Sequence, residues 1–119
     1  MLRTWTIPGA VRGSGATKIH CVLGEDPARI VMSGDIDLLV TPALESVLQA
    51  LAAQPAASAI TDLRPATILS CAGVRFLYEL AGQCARRRGR LEVLVVPGPV
   101  TRILDVLGMD ESATMIRFP

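Results

Sequence analysis

The stretch LEVLVVPGPVTRILDVLG, residues 91–108, predicts one complete strand–turn–helix unit. Leu91–Val96 is a continuous apolar run of strand length, typical of a strand in the middle of a sheet that is covered on both faces or nearly so. The turn Pro97–Pro99 follows, and apolar residues then recur at helical spacing until Gly108, a usual helix end. The predicted core-facing residues of this helix are Val100, Ile103, Leu104 and Leu107.

Two further helices with the same apolar periodicity are predicted upstream of this unit. The first has Thr41 as its N-cap and is ended by Pro55. The second begins near Cys71 and ends in Arg86–Arg88, cations near the negative end of the helix dipole, followed by Gly89 as a stop residue. The predicted core-facing residues are Leu44, Val47, Leu48 and Leu51 in the first helix, and Val74, Leu77, Tyr78 and Ala81 in the second.

Further strands are predicted from apolar runs and from the alternation of apolar and polar residues. These strands are Thr17–Leu23, Arg29–Ser33, Ala59–Leu63 and Thr114–Phe118. A turn cluster at Gly24–Pro27 joins the first two as a hairpin. Residues 1–16 are rich in glycine, and we expect them to form a flexible N-terminal arm with a short strand at Thr4–Ile7.

The predicted element order is β-β-α-β-α-β-α-β. A strand, a crossover helix and a second strand imply parallel, right-handed connections. The sequence therefore predicts a small α/β domain over residues 17–119. Its sheet is mixed and mostly parallel, with about four to five strands and three main helices.

The composition argues against several functional classes. Twelve basic and eleven acidic residues give a net charge of +1, which disfavours a direct nucleic-acid partner. No apolar run approaches the roughly 20 residues needed to insert in a membrane, and no secretory leader is seen. Three widely spaced cysteines, Cys21, Cys71 and Cys84, fit a reducing cytoplasm. The single His20 and the absence of phosphate-loop, dinucleotide and nucleophile-elbow motifs predict neither a metal nor a cofactor.

Carboxylates at strand ends are the first group of candidate functional residues. Asp35 and Asp37 follow the second strand, and Asp62 lies at the end of the third. Such carboxylates can serve acid/base chemistry, but turn and cap hydrogen bonds are the favoured interpretation.

Ser70 and Cys71 form the second candidate, at the predicted N-terminus of the second helix. Outward-pointing N–H groups and the helix dipole at this point tolerate a phosphate and lower the pKa of a thiol. In the alternative interpretation, Ser70 is the N-cap and Cys71 is a small buried residue. The residues alone leave these possibilities open.

Several motifs, in order along the chain, resemble those of the STAS family of bacterial anti-sigma factor antagonists. GDID at Gly34–Asp37 is similar to the family's Gly-Glu-Leu-Asp turn, and DLR at Asp62–Arg64 to its strand-end Asp-Leu. SCAGV at Ser70–Val74 occupies the place of its Asp-Ser-Ser/Ala-Gly-Leu signature. GRLEV at Gly89–Val93 and the ending ILDVLGMD at Asp110 also fit. The resemblance runs from about residue 17 to the C-terminus.

The resemblance implies a binding module and not an enzyme. Family members bind an anti-sigma factor, often a serine/threonine kinase, and thereby regulate sigma-factor-dependent transcription. The kinase phosphorylates a Ser or Thr at the N-terminus of the second helix and so ejects the antagonist. Aligned on Gly73, the phosphoacceptor falls on Cys71 and its preceding Asp on Ser70. The implied partner-binding residues are Asp35, Asp37, Arg64, Ser70, Cys71, Gly73, Val74 and Arg75.

Because both residues of the phosphorylation motif are replaced, the favoured hypothesis is a constitutive binder that has lost the switch. Phosphorylation at Ser70 through a shift of one residue is one alternative. A second is an accessory STAS subunit of a transport or signalling complex, and a third is a redox sensor that uses the Cys71 thiol.

Overall fold

The computed structural model describes residues 1–7 and 17–119, which form one sheet, three α-helices and two 3-10 turns. The strands are β1 Leu2–Ile7, β2 Thr17–Val22, β3 Ala28–Ile36, β4 Ala59–Asp62, β5 Ala66–Leu69, β6 Leu91–Val95 and β7 Thr114–Arg117. The helices are α1 Thr41–Ala52, α2 Cys71–Arg86 and α3 Pro99–Val106. The 3-10 turns are Leu38–Val40 and Met109–Glu111. Among the described residues, no helix is long and apolar enough to cross a membrane.

The sheet has the order β1-β2-β3-β4-β6-β7, with β5 paired separately to β3. The pairs β1–β2 and β2–β3 are antiparallel, and the pairs β3–β4, β4–β6, β6–β7 and β3–β5 are parallel. The predicted α/β fold with a mixed, mostly parallel sheet and three main helices is therefore confirmed.

Two strands of the sheet exceed the four to five that the sequence predicts. β1 begins at Leu2, earlier than expected, and pairs with β2 along its whole length, so this part of the expected arm belongs to the sheet. β5 was not predicted, because its four residues follow Pro65 immediately and look like a loop. Residues 8–16 of the expected arm lie outside the described residues, and the domain boundary at residue 17 stays a prediction.

The core lies between the sheet and the helices, on one face of the sheet. In β6, Leu91, Val93 and Val95 are buried, while Glu92 and Leu94 between them are only half-buried. The prediction of a strand covered on both faces or nearly so therefore holds fully for one face only. Alternate residues of a strand point to opposite faces, so every second residue of β6 is left partly in water.

The core-facing sides that periodicity predicts for the helices are mostly correct, but residues at the edges of these sides are wrong. In α2, Tyr78 is 36% exposed, and Phe76 and Leu80 are buried instead. In α3, Ile103 and Leu107 are exposed to 38% and 47%. A spacing of three or four residues allows two neighbouring stripes, and only the direction of approach to the sheet selects between them.

The buried cysteine of β2 makes stability depend on pH. Burial raises the pKa of the Cys21 thiol from 9.0 to about 12, although the charge of Arg3 acts in the opposite direction. Above pH 9 the unfolded chain loses this proton and the folded chain keeps it. Cys21 by itself should therefore lower the free energy of unfolding by about 1.4 kcal/mol per pH unit from pH 9 toward pH 12.

Urea unfolding at pH 8, 9 and 10 measures this slope. Cys21→Ala should reduce it, leaving the smaller slope that the buried Cys84 contributes, whose pKa is also raised by burial. Cys71→Ala, at the exposed cysteine, is the matched control for the loss of a thiol. An unchanged slope in Cys21→Ala would contradict the assignment.

Candidate functional site

The N-terminus of α2 packs tightly against β3 and β5, and Gly73 makes this approach possible. A Cβ on Gly73 would lie 2.3 Å from Leu69 Cδ1 and 3.0 Å from Ile36 Cγ2. The N–H of Ser70 donates to the carbonyl of Ile36 at 2.8 Å, and the N–H of Val74 donates to the carbonyl of Ser70 at 3.1 Å. Gly73 and Val74, expected to contact a partner, are buried and instead hold the helix in place.

Ser70 occupies the N-cap position of α2 but does not form the side-chain hydrogen bond of an N-cap. Its backbone is extended, with φ −80° and ψ 174°, and its side chain makes no capping hydrogen bond. The Ser70 Oγ is buried, with no hydrogen-bond partner among the described residues. A kinase must reach the oxygen that it phosphorylates, so this conformation does not present Ser70 as a phosphoacceptor.

Cys71 is the exposed thiol of the chain. It is the first residue of α2, whereas Cys21 and Cys84 are buried, and all three thiols are free. The side chain at the family's phosphoacceptor position therefore faces solvent, and its neighbour Ser70 does not.

Asp35 and Asp37 lie at the end of β3, and each accepts a local hydrogen bond. Asp35 Oδ1 accepts from the hydroxyl of Thr67 on β5. Asp37 Oδ1 accepts from the N–H of Leu39 at 3.0 Å and caps the 3-10 turn. Because neighbouring strand residues point to opposite sides, Asp35 points away from the side on which Ile36 packs beneath α2. Asp37 thus acts as a cap acceptor, as predicted, whereas Asp35 accepts its hydrogen bond across the β3–β5 pair.

Arg64, predicted at the rim of a partner surface, is directed elsewhere. Its Nε and Nη2 donate to the two carboxylate oxygens of Asp62 at 3.0 and 2.9 Å, and its guanidinium lies 4.4 Å from the ring centroid of Phe118. Burial raises the pKa of the Asp62 carboxyl, but the hydrogen bonds and charge of Arg64 outweigh burial and leave the pKa lowered. The ion pair and the cation–π contact of Arg64 are therefore made with these two residues.

Arg75 lies one turn into α2 on the exposed side of the helix. Its side chain is 82% exposed and its Nε is 2.9 Å from Glu79 Oε1 in an i, i+4 pair. Exposed pairs of this kind contribute little to stability, about 0.3–0.5 kcal/mol. Arg75 can therefore give up its pairing with Glu79 and pair with a charged group of a partner.

A groove of about 440 Å³ lies between α1 and α2, with Cys71 among the residues that line it. Its floor is apolar, because Leu44 and Phe76 are buried and Leu48 is half-buried. Glu45, Arg75 and Glu79 supply its charged side chains. The thiol position and the apolar groove are therefore one continuous surface.

Three exposed apolar residues of the 3-10 turn and β5 were not foreseen from the sequence. Leu38 and Leu39 of the first 3-10 turn are 64% and 56% exposed, and Ile68 of β5 is 53% exposed. The 3-10 turn packs against α2, whereas Ile68, the register partner of Asp35, points with it to the other side of the sheet. The apolar run Leu38-Leu39-Val40 was the sequence signal for this exposure. Burial of Val40 suffices to hold the turn, so the other two side chains are left exposed.

No group of three or more metal-ligating side chains occurs in residues 1–7 and 17–119. Ser70 Oγ has no base beside it, and the carboxylates near it already accept hydrogen bonds from the chain. What the site presents outward is a thiol, an apolar groove and exposed charges.

Solved structures share this fold. A crystal structure of an anti-sigma factor antagonist from Mycobacterium paratuberculosis matches with a TM-score of 0.69 and 18% identity, covering 97% of this chain and 85% of that chain. The anti-sigma factor antagonist SpoIIAA in its unphosphorylated form matches with a TM-score of 0.72 and 13% identity, covering 85% of this chain and 88% of that chain. At these identities the likeness establishes the fold.

The assignment to a protein family comes from the sequence. No curated protein gives a significant match. The family model described as "Mlab, STAS domain" matches residues 20–117, which is most of the chain. The chain therefore belongs to the STAS domain family, as its ordered motifs predicted.

Proposed function

We propose that this protein is an anti-sigma factor antagonist, a binding module and not an enzyme. It binds an anti-sigma factor in the cytoplasm through the surface around the N-terminus of α2 and so regulates sigma-factor-dependent transcription. The observation that carries the proposal is the exposed apolar turn Leu38-Leu39 beside exposed Cys71, where Gly73 fixes the first turn of the helix. Exposed apolar residues grouped at one site are typical of protein interfaces.

The same surface supports loss of the phosphorylation switch. A phosphate added to a tight interface brings about −1.5 to −2 charges, which is how phosphorylation ejects a partner. Here the exposed position holds Cys71, and the hydroxyl of Ser70 is enclosed. We therefore propose that binding is constitutive, even where the anti-sigma factor is a serine/threonine kinase.

Binding to the anti-sigma factors of the source cell tests the proposal. Cys71→Glu should weaken the complex at least about tenfold, because it places a charge in the proposed interface, equivalent to about 1.4 kcal/mol. Titration calorimetry or surface plasmon resonance measures the change. Thr114→Glu, a charge added at an exposed position on β7, is the control and should bind like the unmodified chain.

Two results would contradict the proposal. If the folded protein binds no anti-sigma factor, the role as an antagonist is wrong. If an anti-sigma kinase phosphorylates Ser70 of the unmodified chain, as seen by mass spectrometry, the switch is not lost.

A second candidate function is an accessory STAS subunit of a transport or signalling complex. The enclosed hydroxyl of Ser70 and the thiol at the phosphoacceptor position favour it, since such a subunit needs no phosphorylation switch. Genes neighbouring this one discriminate, because sigma-regulator genes support the antagonist and transporter genes support the subunit.

A further inference from the structure

The groove between α1 and α2 extends the proposed interface beyond the N-terminus of α2. Its lining includes Thr41 to Leu48 on α1 and Cys71 to Glu79 on α2. Nine residues of helix correspond to a length of about 12–14 Å at a rise of about 1.5 Å per residue. The groove therefore has the length of two to three helical turns.

The groove has an apolar floor that would accept apolar anchors. Leu44 and Phe76 are only 3% and 2% exposed and close it from below, while Leu38 projects at 64% exposure from the 3-10 turn. Apolar side chains on a helix repeat every three or four residues, and a groove of this kind takes them on one face. The shape and the floor match one face of an amphipathic helix.

The charged side chains that line the groove indicate which residues should flank the apolar face of a bound helix. Glu45 is the sole charged residue of α1, and Glu79 lies across the groove on α2. The guanidinium of Arg75 is already paired with Glu79. Because Arg75 offsets Glu79, Glu45 leaves the lining of the groove with a net negative charge, although the chain as a whole has a net charge of +1.

We propose that the groove binds an amphipathic helix of the anti-sigma factor, with apolar anchors on one face and basic residues on its flanks. This inference rests on the proposed function, because the partner is the anti-sigma factor. Its apolar face lies on Leu44, Leu48 and Phe76, and its basic residues pair with Glu45 and Glu79. Exposed Cys71 lies within the groove and is covered when the helix binds.

Affinity measurements with the anti-sigma factor test the groove directly. Leu38→Ala and the double variant Glu45→Lys/Glu79→Lys should each weaken binding at least about tenfold. The matched controls are Val106→Ala, an apolar residue 80% exposed on α3, and Glu25→Lys/Asp110→Lys, exposed acidic residues elsewhere. Both controls should bind like the unmodified chain. If the groove variants bind as tightly as the controls, the groove inference is wrong and the antagonist function stands.

Overlapping helical peptides of about 16 residues from the bound anti-sigma factor identify the segment. The rate at which N-ethylmaleimide alkylates Cys71 reports whether the groove is occupied, because the other two thiols are buried. A basic amphipathic peptide should slow alkylation at least threefold, and the same peptide with Glu in place of Lys and Arg should leave the rate unchanged. Equal protection by both peptides, or by neither, overturns the charge assignment.

A different experiment separates this inference from failure of the proposed function. If no anti-sigma factor binds, a designed helix of leucine and lysine is the probe, with its leucine and glutamate counterpart as the control. Slower alkylation of Cys71 by the lysine helix alone supports the groove, and no difference overturns it. A concentration-dependent dimer that Leu38→Ala dissociates would assign the groove to a second copy of the chain and overturn the helix proposal.

Discussion

Gly89→Ala is expected to lower the free energy of unfolding by at least about 3 kcal/mol, above the usual range for overpacking. A Cβ on Gly89 would lie 2.1 Å from the carbonyl oxygen of Ala57, 2.4 Å from its carbonyl carbon and 2.7 Å from Ser58 Oγ. Two of these atoms are backbone, so no rotamer change relieves the contact. The connection from α2 to β6 must move away from the segment that leads into β4.

This movement would break hydrogen bonds that join the two segments. The N–H of Arg90 donates to Ser58 Oγ at 3.1 Å, and the N–H of Ala59 donates to the carbonyl of Arg90 at 3.1 Å. Urea unfolding followed by circular dichroism measures the loss. Gly89→Ala as stable as the unmodified chain would show that the close approach is not required.

Gly82→Ala is the matched control, because the same change is expected to have the opposite sign. Gly82 lies in the interior of α2, and the nearest atom to an added Cβ is the flexible Arg86 Nη1 at 3.4 Å. Alanine is a better helix former than glycine by about 0.8–1.0 kcal/mol. Gly82→Ala should therefore stabilise the protein by up to that amount.

The second large effect is expected for Arg87→Met, about 3 kcal/mol of destabilisation. Arg87 Nη1 donates to the carbonyls of Gln54 and Ala56 at 2.6 and 2.9 Å, and Nη2 donates to the carbonyl of Ala52 at 2.7 Å. This guanidinium satisfies acceptors at the end of α1 and in the loop after it. Hydrogen bonds to a charged group contribute about 1.5–3 kcal/mol each. Three of them would contribute about 4.5 kcal/mol or more if buried, and because Arg87 is only half-buried the expected total is about 3 kcal/mol.

Arg86→Met distinguishes the hydrogen bonds of Arg87 from a general effect of positive charge at the end of α2. Arg86 is the last residue of the helix, is exposed, and interacts with the helix dipole. Its replacement should cost less than about 1 kcal/mol. Equal losses from Arg86→Met and Arg87→Met would assign the effect to the dipole alone.

Much of the fold could be predicted because it depends on local patterns. The helices begin and end within a few residues of the predicted positions, since Pro55 and the short loop after Arg86–Arg88 interrupt the helical pattern whatever the tertiary context. The sequence predicted Gly89 as the residue that stops the helix, which is only part of the reason why glycine is needed there. Arg88, with φ 60°, adopts the left-handed conformation at this helix end, and Gly89 is required by its contact with Ala57.

The candidate site was predicted less completely than the fold. The helical pattern that begins near Cys71 placed Ser70 and Cys71 at the N-terminus of α2, where the structure has them. Arg64 was expected beside them, yet its side chain turns to Asp62 and Phe118. Sequence spacing gives the position of a residue along the chain and not the direction of a long, flexible side chain.

The sequence alone determined the order of the three helices and of the strands other than β5, the STAS resemblance and the unusual residues at the phosphoacceptor position. These follow from periodicity, turn residues and motif order, which are local properties of the chain. The tertiary structure decided which of two adjacent side chains is accessible. Packing of α2 against Ile36 and Leu69, allowed by Gly73, buries the Ser70 hydroxyl and leaves the Cys71 thiol exposed. Accessibility depends on residues distant in sequence, and for that reason only the folded chain reveals it.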